Sequence, residues 1–271
     1  MFVIEAPGFS LEDTWRSRQS VLFKKLHVDT GAAYVIQTGG KLLVASQVKS
    51  RLLLHCSEED FFTTWYQYFH LGLDYSHDRS ELLTARPLLN DAARSAPGVH
   101  VLQQQPWEEL LTSRLEHELG WHGACDAVDD VCVACFGGTK KKNVPGIGSV
   151  RWAPLQSPEN TIELLQQEDA LWFIDEDVAK LVVSVAEEFM AGSRADRDAM
   201  RCMQEWQKHM VRAYSGMAVE DWLEWQEAGL ETPEYVAAML RWSAANAKLP
   251  GMVVKPVRRK AKAVRRKRRK K

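Results

Sequence analysis

The sequence predicts an α+β protein: an N-terminal antiparallel sheet with helices, then an all-helical domain, then a disordered basic tail. Three observations lead there. Between about Ser20 and His55, short apolar runs are separated by turn residues. From Trp107 to about Ala247 apolar residues recur at helical spacing. From Lys255 to Lys271 there are 12 Lys or Arg and no acid, too little apolar surface to fold alone. The expected divisions are residues 1–98, 99–250 and 251–271.

With 271 residues and 45% hydrophobic side chains, the chain can bury a substantial core. No stretch approaches the roughly 20 apolar residues of a membrane span, and no membrane partner is expected. The start, MFVIEAPGFSLEDTW, has neither a basic n-region nor an Arg-rich presequence, so neither a secretory nor a clear organellar signal is read. The formal charge of −1 hides a division, because removing the tail leaves 23 bases against 36 acids, or −13. Phosphate-tracking surfaces are basic, so the expected nucleic-acid contact is the tail. Its candidate residues are Lys255, Arg258, Arg259, Lys260, Lys262, Arg265, Arg266, Lys267, Arg268, Arg269, Lys270 and Lys271. The acidic body is expected to meet protein partners. Five cysteines without a signal peptide argue against a disulfide framework and for a reducing intracellular compartment, nuclear or organellar being left open.

VLFKKLHV, AAYVIQ, KLLVASQV and RLLLHC are the expected strands, punctuated at Thr30-Gly31 and Gly39-Gly40. A helix follows, with Ser57 as N-cap, Asp60 at the capping-box position and Phe61, Trp65, Tyr68 and Phe69 on one face. Further helices are expected at Trp107–Leu119, Cys125–Phe136, Glu159–Ala170, Asp175–Met190, Ala195–Tyr214, Val219–Ala228 and Pro233–Ala247, interrupted by a loop from Gly137 to Pro158.

From Phe9 to Ser113 the chain resembles the 8-oxoguanine DNA glycosylase family. The landmarks, in order, are FSLEDTW with SRQSVLF, the strand block, FFTTWYQYFHLGLDYS, and APGVHVLQQQPWEELLTS. More faintly, WAPLQSPE is similar to the family's entry into a later helix, and DWLEWQEAGLETPEYVAAMLR precedes LPGMVVK as a helix pair precedes the family's helix-hairpin-helix. The resemblance implies an N-domain of that family's type and a degenerate helical domain. It also implies base flipping, attack on the sugar by a lysine to form a Schiff base, and an aspartate that stabilises charge. On this alignment Lys255 falls on the catalytic lysine.

Several positions depart from that pattern. The glycine whose backbone reads the oxidised base falls on Arg18, beside Gln19, and a guanidinium there is expected to obstruct the pocket. The Asn-rich stretch that contacts the orphaned base falls on His117-Glu118-Leu119-Gly120, where a carboxylate repels DNA. The second hairpin glycine is replaced by valine, Pro256 breaks the helix that should follow, and none of the sixteen residues after Lys255 is acidic.

Three features compete with this reading. VPGIGSV (Val144 to Val150), with Asp169 beyond it, imitates the hairpin's glycine pattern, but Pro154 and Pro158 interrupt the helix that must follow, leaving a Lys-rich Gly-Pro loop. His122, Cys125, Cys132 and Cys135, with His117 nearby, imitate a zinc set, against a helix that buries Val128, Val131, Cys132 and Cys135 on one face. Tryptophans such as Trp65, Trp107, Trp206 and Trp222 sit at apolar helical positions and are expected in the core. No cofactor is expected. The functional expectation is a catalytically degenerate glycosylase-fold protein, a pseudoenzyme. It binds RNA or DNA through its tail, as subunits of ribonucleoproteins such as ribosomes do. The alternative is an active 8-oxoguanine DNA glycosylase/AP lyase of DNA repair with Lys255 as nucleophile; a third takes the tail as a nuclear localisation signal.

Overall fold

In the computed structural model, residues 1–28, 31–85, 90, 93–196 and 233–246 are described. The helix expected at Val219–Ala228, most of that at Ala195–Tyr214, and the basic tail lie outside them.

Five antiparallel strands form the N-terminal sheet in the order β1-β5-β4-β3-β2: β1 (Phe2–Glu5), β2 (Phe23–Val28), β3 (Gly31–Thr38), β4 (Lys41–Val48) and β5 (Arg51–Leu54). Tight turns at Gly39-Gly40 and Lys49-Ser50 set the register, pairing Thr38 with Lys41 and Val48 with Arg51. β1 was not anticipated: four residues ending before Pro7 are too few to show a period, and the strand exists because β5 offers it an edge.

Side-chain alternation sends the two faces of the sheet into different cores. Tyr34, Ile36, Leu43, Ala45, Leu52 and Leu54 meet Phe61, Trp65, Tyr68 and Phe69 of the next helical stretch. This stretch, α2, is an α-turn at Glu58–Asp60, a π-helical segment at Phe61–Trp65 and a last turn at Tyr66–Tyr68. The Ser57 hydroxyl accepts from the Asp60 amide at 3.0 Å, as an N-cap does.

The other face carries Val35, Leu42 and Val44, and these are covered by a hairpin, β6 (Lys140–Val144) and β7 (Gly148–Trp152), through Val144, Val150 and Trp152. The expected loop at Gly137 to Pro158 is therefore corrected. Its lysines and glycines read as solvent-loving, but Val144, Val150 and Trp152 share one side of the hairpin and find a sheet to pack on. VPGIGSV is the turn between these strands and not a helix-hairpin-helix. The Ile147 amide donates to the Val144 carbonyl at 3.1 Å, with Pro145 and Gly146 between, and Gly146 at φ 76° takes the third position of a type II turn. Asp169 lies apart from it in a short 3₁₀ turn, Glu168–Trp172.

The helical body comprises α4 (Pro106–Phe136), α5 (Pro158–Leu165) and α6 (Glu176–Asp196), preceded by α1 (Leu11–Arg16) and α3 (Ser76–Ala85) and followed by α7 (Pro233–Asn246). α4 is two helices bent at Gly120, whose φ of 70° and ψ of 167° are non-helical, so the two helices expected there are both present. Leu111, Leu115, Val128, Val131 and Cys132 of α4 bury against Val182, Val185 and Ala186 of α6. Val21 and Leu22, just before β2, join this core and so tie the sheet to the helices. Among the described residues no helix is long and apolar enough to cross a membrane.

Candidate functional site

Ser10 caps α1, its hydroxyl accepting from the Asp13 amide at 3.1 Å. The helix stops at Ser17, and the next residue, Arg18, takes a left-handed φ of 53°. L-residues other than glycine, asparagine and aspartate avoid that region, so the turn has a backbone suited to glycine while carrying an arginine.

Gln19 is buried and its side chain is committed to holding this turn. Its Nε2 donates to Ser17 Oγ at 2.7 Å and to the His100 carbonyl at 2.8 Å, and its Oε1 accepts from the Leu102 amide at 2.9 Å. Its carbonyl accepts from Gln104 Nε2 at 2.8 Å. The His100 amide in turn donates to Thr14 Oγ1 at 3.2 Å. This lacing holds the turn against the segment before α4.

The Arg18 side chain lies over the Trp121 ring, its guanidinium carbon 5.6 Å from the ring centroid. Trp121 is the first residue beyond the Gly120 bend, so the bend decides where that indole sits. The Arg18 carbonyl accepts from Nη1 of Arg241 on α7. Arg241, only 1% exposed, also donates through Nη2 to Glu116 Oε2 of α4 at 2.9 Å.

Burial pushes the Glu116 carboxyl above the usual carboxylate range, while Arg241 and Arg18 pull it back. Burial lowers both arginines, and Glu116 opposes this in each case. Arginine does not lose its proton in proteins, so the buried guanidinium keeps its charge and has the Glu116 carboxyl as its acidic partner. The result is a closed cluster of two helices and a turn in which the turn's carbonyl, a carboxylate and a guanidinium satisfy one another.

Sequence reasoning had singled out Arg18 and Gln19 but not Glu116, Trp121 or Arg241. A signal was present. Arg241 stands among Tyr235, Ala238, Met239 and Trp242, all buried, and a charge on an apolar helix face needs a partner.

His117, Glu118 and Gly120 are exposed at the bend of α4. His122, Cys125, Cys132 and Cys135 lie along one helix, and the 13 steps from His122 to Cys135 span about 20 Å at about 1.5 Å per residue. They cannot converge on one ion. Cys132 and Cys135 are buried with Val128 and Val131, and burial pushes their thiols up to about 12 and about 11. Among the described residues no group of three or more His, Cys, Asp or Glu is arranged to hold a metal. Trp65 and Trp107 are core residues. Lys255 and the other tail residues, with Trp206 and Trp222, lie outside the described residues.

A five-stranded antiparallel sheet laced to a bent helical body is the fold of a class of DNA glycosylases. MBOgg1, in complex with a low-affinity DNA ligand, superimposes with a TM-score of 0.67 at 15% identity, over 90% of this chain and 94% of that one. Apo 8-oxoguanine glycosylase/lyase from Clostridium acetobutylicum gives 0.63 at 15% identity, over 88% and 93%. The 3-methyladenine DNA glycosylase from Archaeoglobus fulgidus gives 0.57 at 11% identity, over 92% and 100%. No curated protein matches in sequence. Residues 1–110 match the family model of the 8-oxoguanine DNA glycosylase N-terminal domain.

Proposed function

We propose that this protein keeps the glycosylase fold as a nucleic-acid-binding and architectural element and has lost base excision. The observation that carries the proposal is the Arg18 carbonyl, bonded to Arg241 with Glu116 behind it. In the family this turn's backbone reads the flipped base. Here the equivalent carbonyl already has a donor, and freeing it would strip a buried guanidinium of a partner and leave part of a buried charge unmet, a cost of several kcal/mol. Arg18 itself fills the space beside the turn, over Trp121. Binding then falls to the tail, whose 12 cations compensate a body of −13 and displace counterions from phosphates. Tails of this kind fit a subunit of a large ribonucleoprotein, with the acidic body turned to protein partners.

The opposing reading, an active glycosylase/lyase with Lys255 as nucleophile, draws support from the left-handed turn at Arg18, a backbone shape that suits the glycine expected at this position from the family resemblance. Borohydride trapping on duplex DNA containing 8-oxoguanine opposite cytosine separates the two. The expected result is salt-sensitive binding with no covalent adduct. An adduct that disappears in Lys255→Ala would overturn the proposal.

A further inference from the structure

We propose that the β6–β7 hairpin is a second nucleic-acid contact, belonging to the folded body and directed at backbone phosphates. It rests on the nucleic-acid-binding role above and adds an ordered site to the tail.

In the hairpin register, Lys140 faces Trp152, Lys142 faces Val150 and Val144 faces Gly148, while Lys141 faces Arg151 and Asn143 faces Ser149. Paired residues point to the same side of a ribbon. Val144, Val150 and Trp152 place the first set against the sheet. The second set, Lys141, Arg151, Asn143 and Ser149, is exposed on the outer side. It offers two cations flanked by two neutral hydrogen-bonding groups on a rigid ribbon.

Two features distinguish this ribbon from an ordinary solvated surface. From Gly137 to Pro158 there are four bases and no acid, in a body that is acidic overall. No carboxylate among the described residues pairs with Lys140, Lys141, Lys142 or Arg151, although Lys24, Lys41, Arg114 and Lys180 all have such partners. Moreover, Lys141 and Arg151 are directly opposed, an arrangement that costs stability in an isolated ribbon and that a polyanion lying across both strands would relieve.

The flanking lysines are held by other means. The Lys140 ammonium sits 4.8 Å from the Phe136 ring centroid and 5.4 Å from that of Trp152, and Lys142 Nζ donates to the His55 carbonyl at 3.1 Å. These contacts fix the lysines without neutralising them, so the positive field along the ribbon persists. Asp60, close enough to feel the Lys142 charge, is engaged by Lys41 at 3.0 Å. A two-stranded basic ribbon with about 3.3 Å rise per residue and a spacing of about 4.8 Å between strands can place cations over successive phosphates of one strand or over both edges of a groove.

The test uses the full chain and two fluorescent 24-mers, a DNA duplex and a single-stranded RNA. The slope of log affinity against log salt is measured for the native protein, for Lys141→Gln/Arg151→Gln, and for a control, Lys49→Gln/Lys180→Gln, that removes equal charge elsewhere. On the ligand the ribbon contacts, the hairpin variant should lose roughly 2 units of slope for duplex or roughly 1.4 for a single strand, at about 0.9 or 0.7 per phosphate. The control should keep the native slope. A drop on only one nucleic acid names that one as the ligand. Lys141→Thr/Arg151→Thr, which favours strand, repeats the measurement if the glutamine variant is unfolded by circular dichroism. An unchanged slope in a protein that binds normally overturns the hairpin alone, whereas a native chain that binds neither 24-mer overturns both this contact and the functional proposal.

Discussion

The turn at Arg18 and the hairpin at Lys140–Trp152 both carry cations on an acidic body, yet they deal with that charge in opposite ways. At the turn, Arg241 is removed from water and its bonds are spent on Glu116 and the Arg18 carbonyl. On the ribbon, Lys141 and Arg151 face each other in solvent, and neither pairs with a carboxylate among the described residues. A buried polar group is costly unless matched, so the first cluster is closed to ligands and sensitive to substitution. Exposed cations are cheap to leave unmatched, so the second is open to a ligand and tolerant of change. An inherited pocket and a functional surface therefore need not coincide in this fold.

The largest expected effect probes the closed side. Arg241→Met leaves Glu116 buried without its guanidinium and should cost about 3–5 kcal/mol in urea unfolding. Arg241→Met combined with Glu116→Leu should recover most of that loss, because the strained partner is gone too. A single-variant cost under about 1 kcal/mol would mean that the turn is not held shut by this pair.

A second test concerns Glu108, buried at the junction of sheet and helices. It accepts from Thr38 Oγ1 and from the Gly39 amide, both at 2.7 Å. Burial raises its pKa above the usual carboxylate value, and hydrogen bonds from Thr38 and from the Gly39 and Gln105 backbone oppose this. With the folded pKa raised, the native state binds the proton more tightly than the unfolded chain. Its contribution is therefore fully present below the unfolded pKa, near 4.3, and is lost as pH rises through the folded value. Subtracting the stability–pH curve of Glu108→Gln from that of the native protein should leave a difference that falls with pH across this window. A difference that rises would show that the hydrogen bonds dominate burial.

The smallest effect belongs to the open side. Arg151→Thr removes the cross-strand repulsion with Lys141 and adds a strand former, so the variant should be more stable by about 0.2–1 kcal/mol. Weaker nucleic-acid binding alongside this gain would mark the ribbon as a place where stability and binding pull apart. Lower stability would mean that Arg151 makes a compensating contact of its own.

Local chemistry made much of the molecule legible in its sequence. The strand block, the Ser57 cap with Phe61, Trp65, Tyr68 and Phe69 behind it, and the helices on either side of Gly120 all followed from periodicity and capping, which act over a few residues. A turn at Arg18 was implied by the resemblance of FSLEDTW and SRQSVLF, while its left-handed backbone was not. The cysteines of α4 lie on one helix, where spacing alone limits what they can reach. β1 and the β6–β7 hairpin were not legible, since each is a short segment whose strand state depends on an edge or face supplied from elsewhere in the chain.

The sequence by itself determined the two kinds of architecture and their order, the acidic body with its basic extension, and an arginine where the family it resembles has glycine. Only the tertiary structure decided what that arginine's carbonyl bonds to, because Arg241 stands 223 residues away and Glu116 another 125 from Arg241. It also decided which lysines pair with a carboxylate among the described residues. Both questions concern charge neutralisation across space, and a Coulomb interaction or hydrogen bond between distant residues leaves no period in the sequence to read.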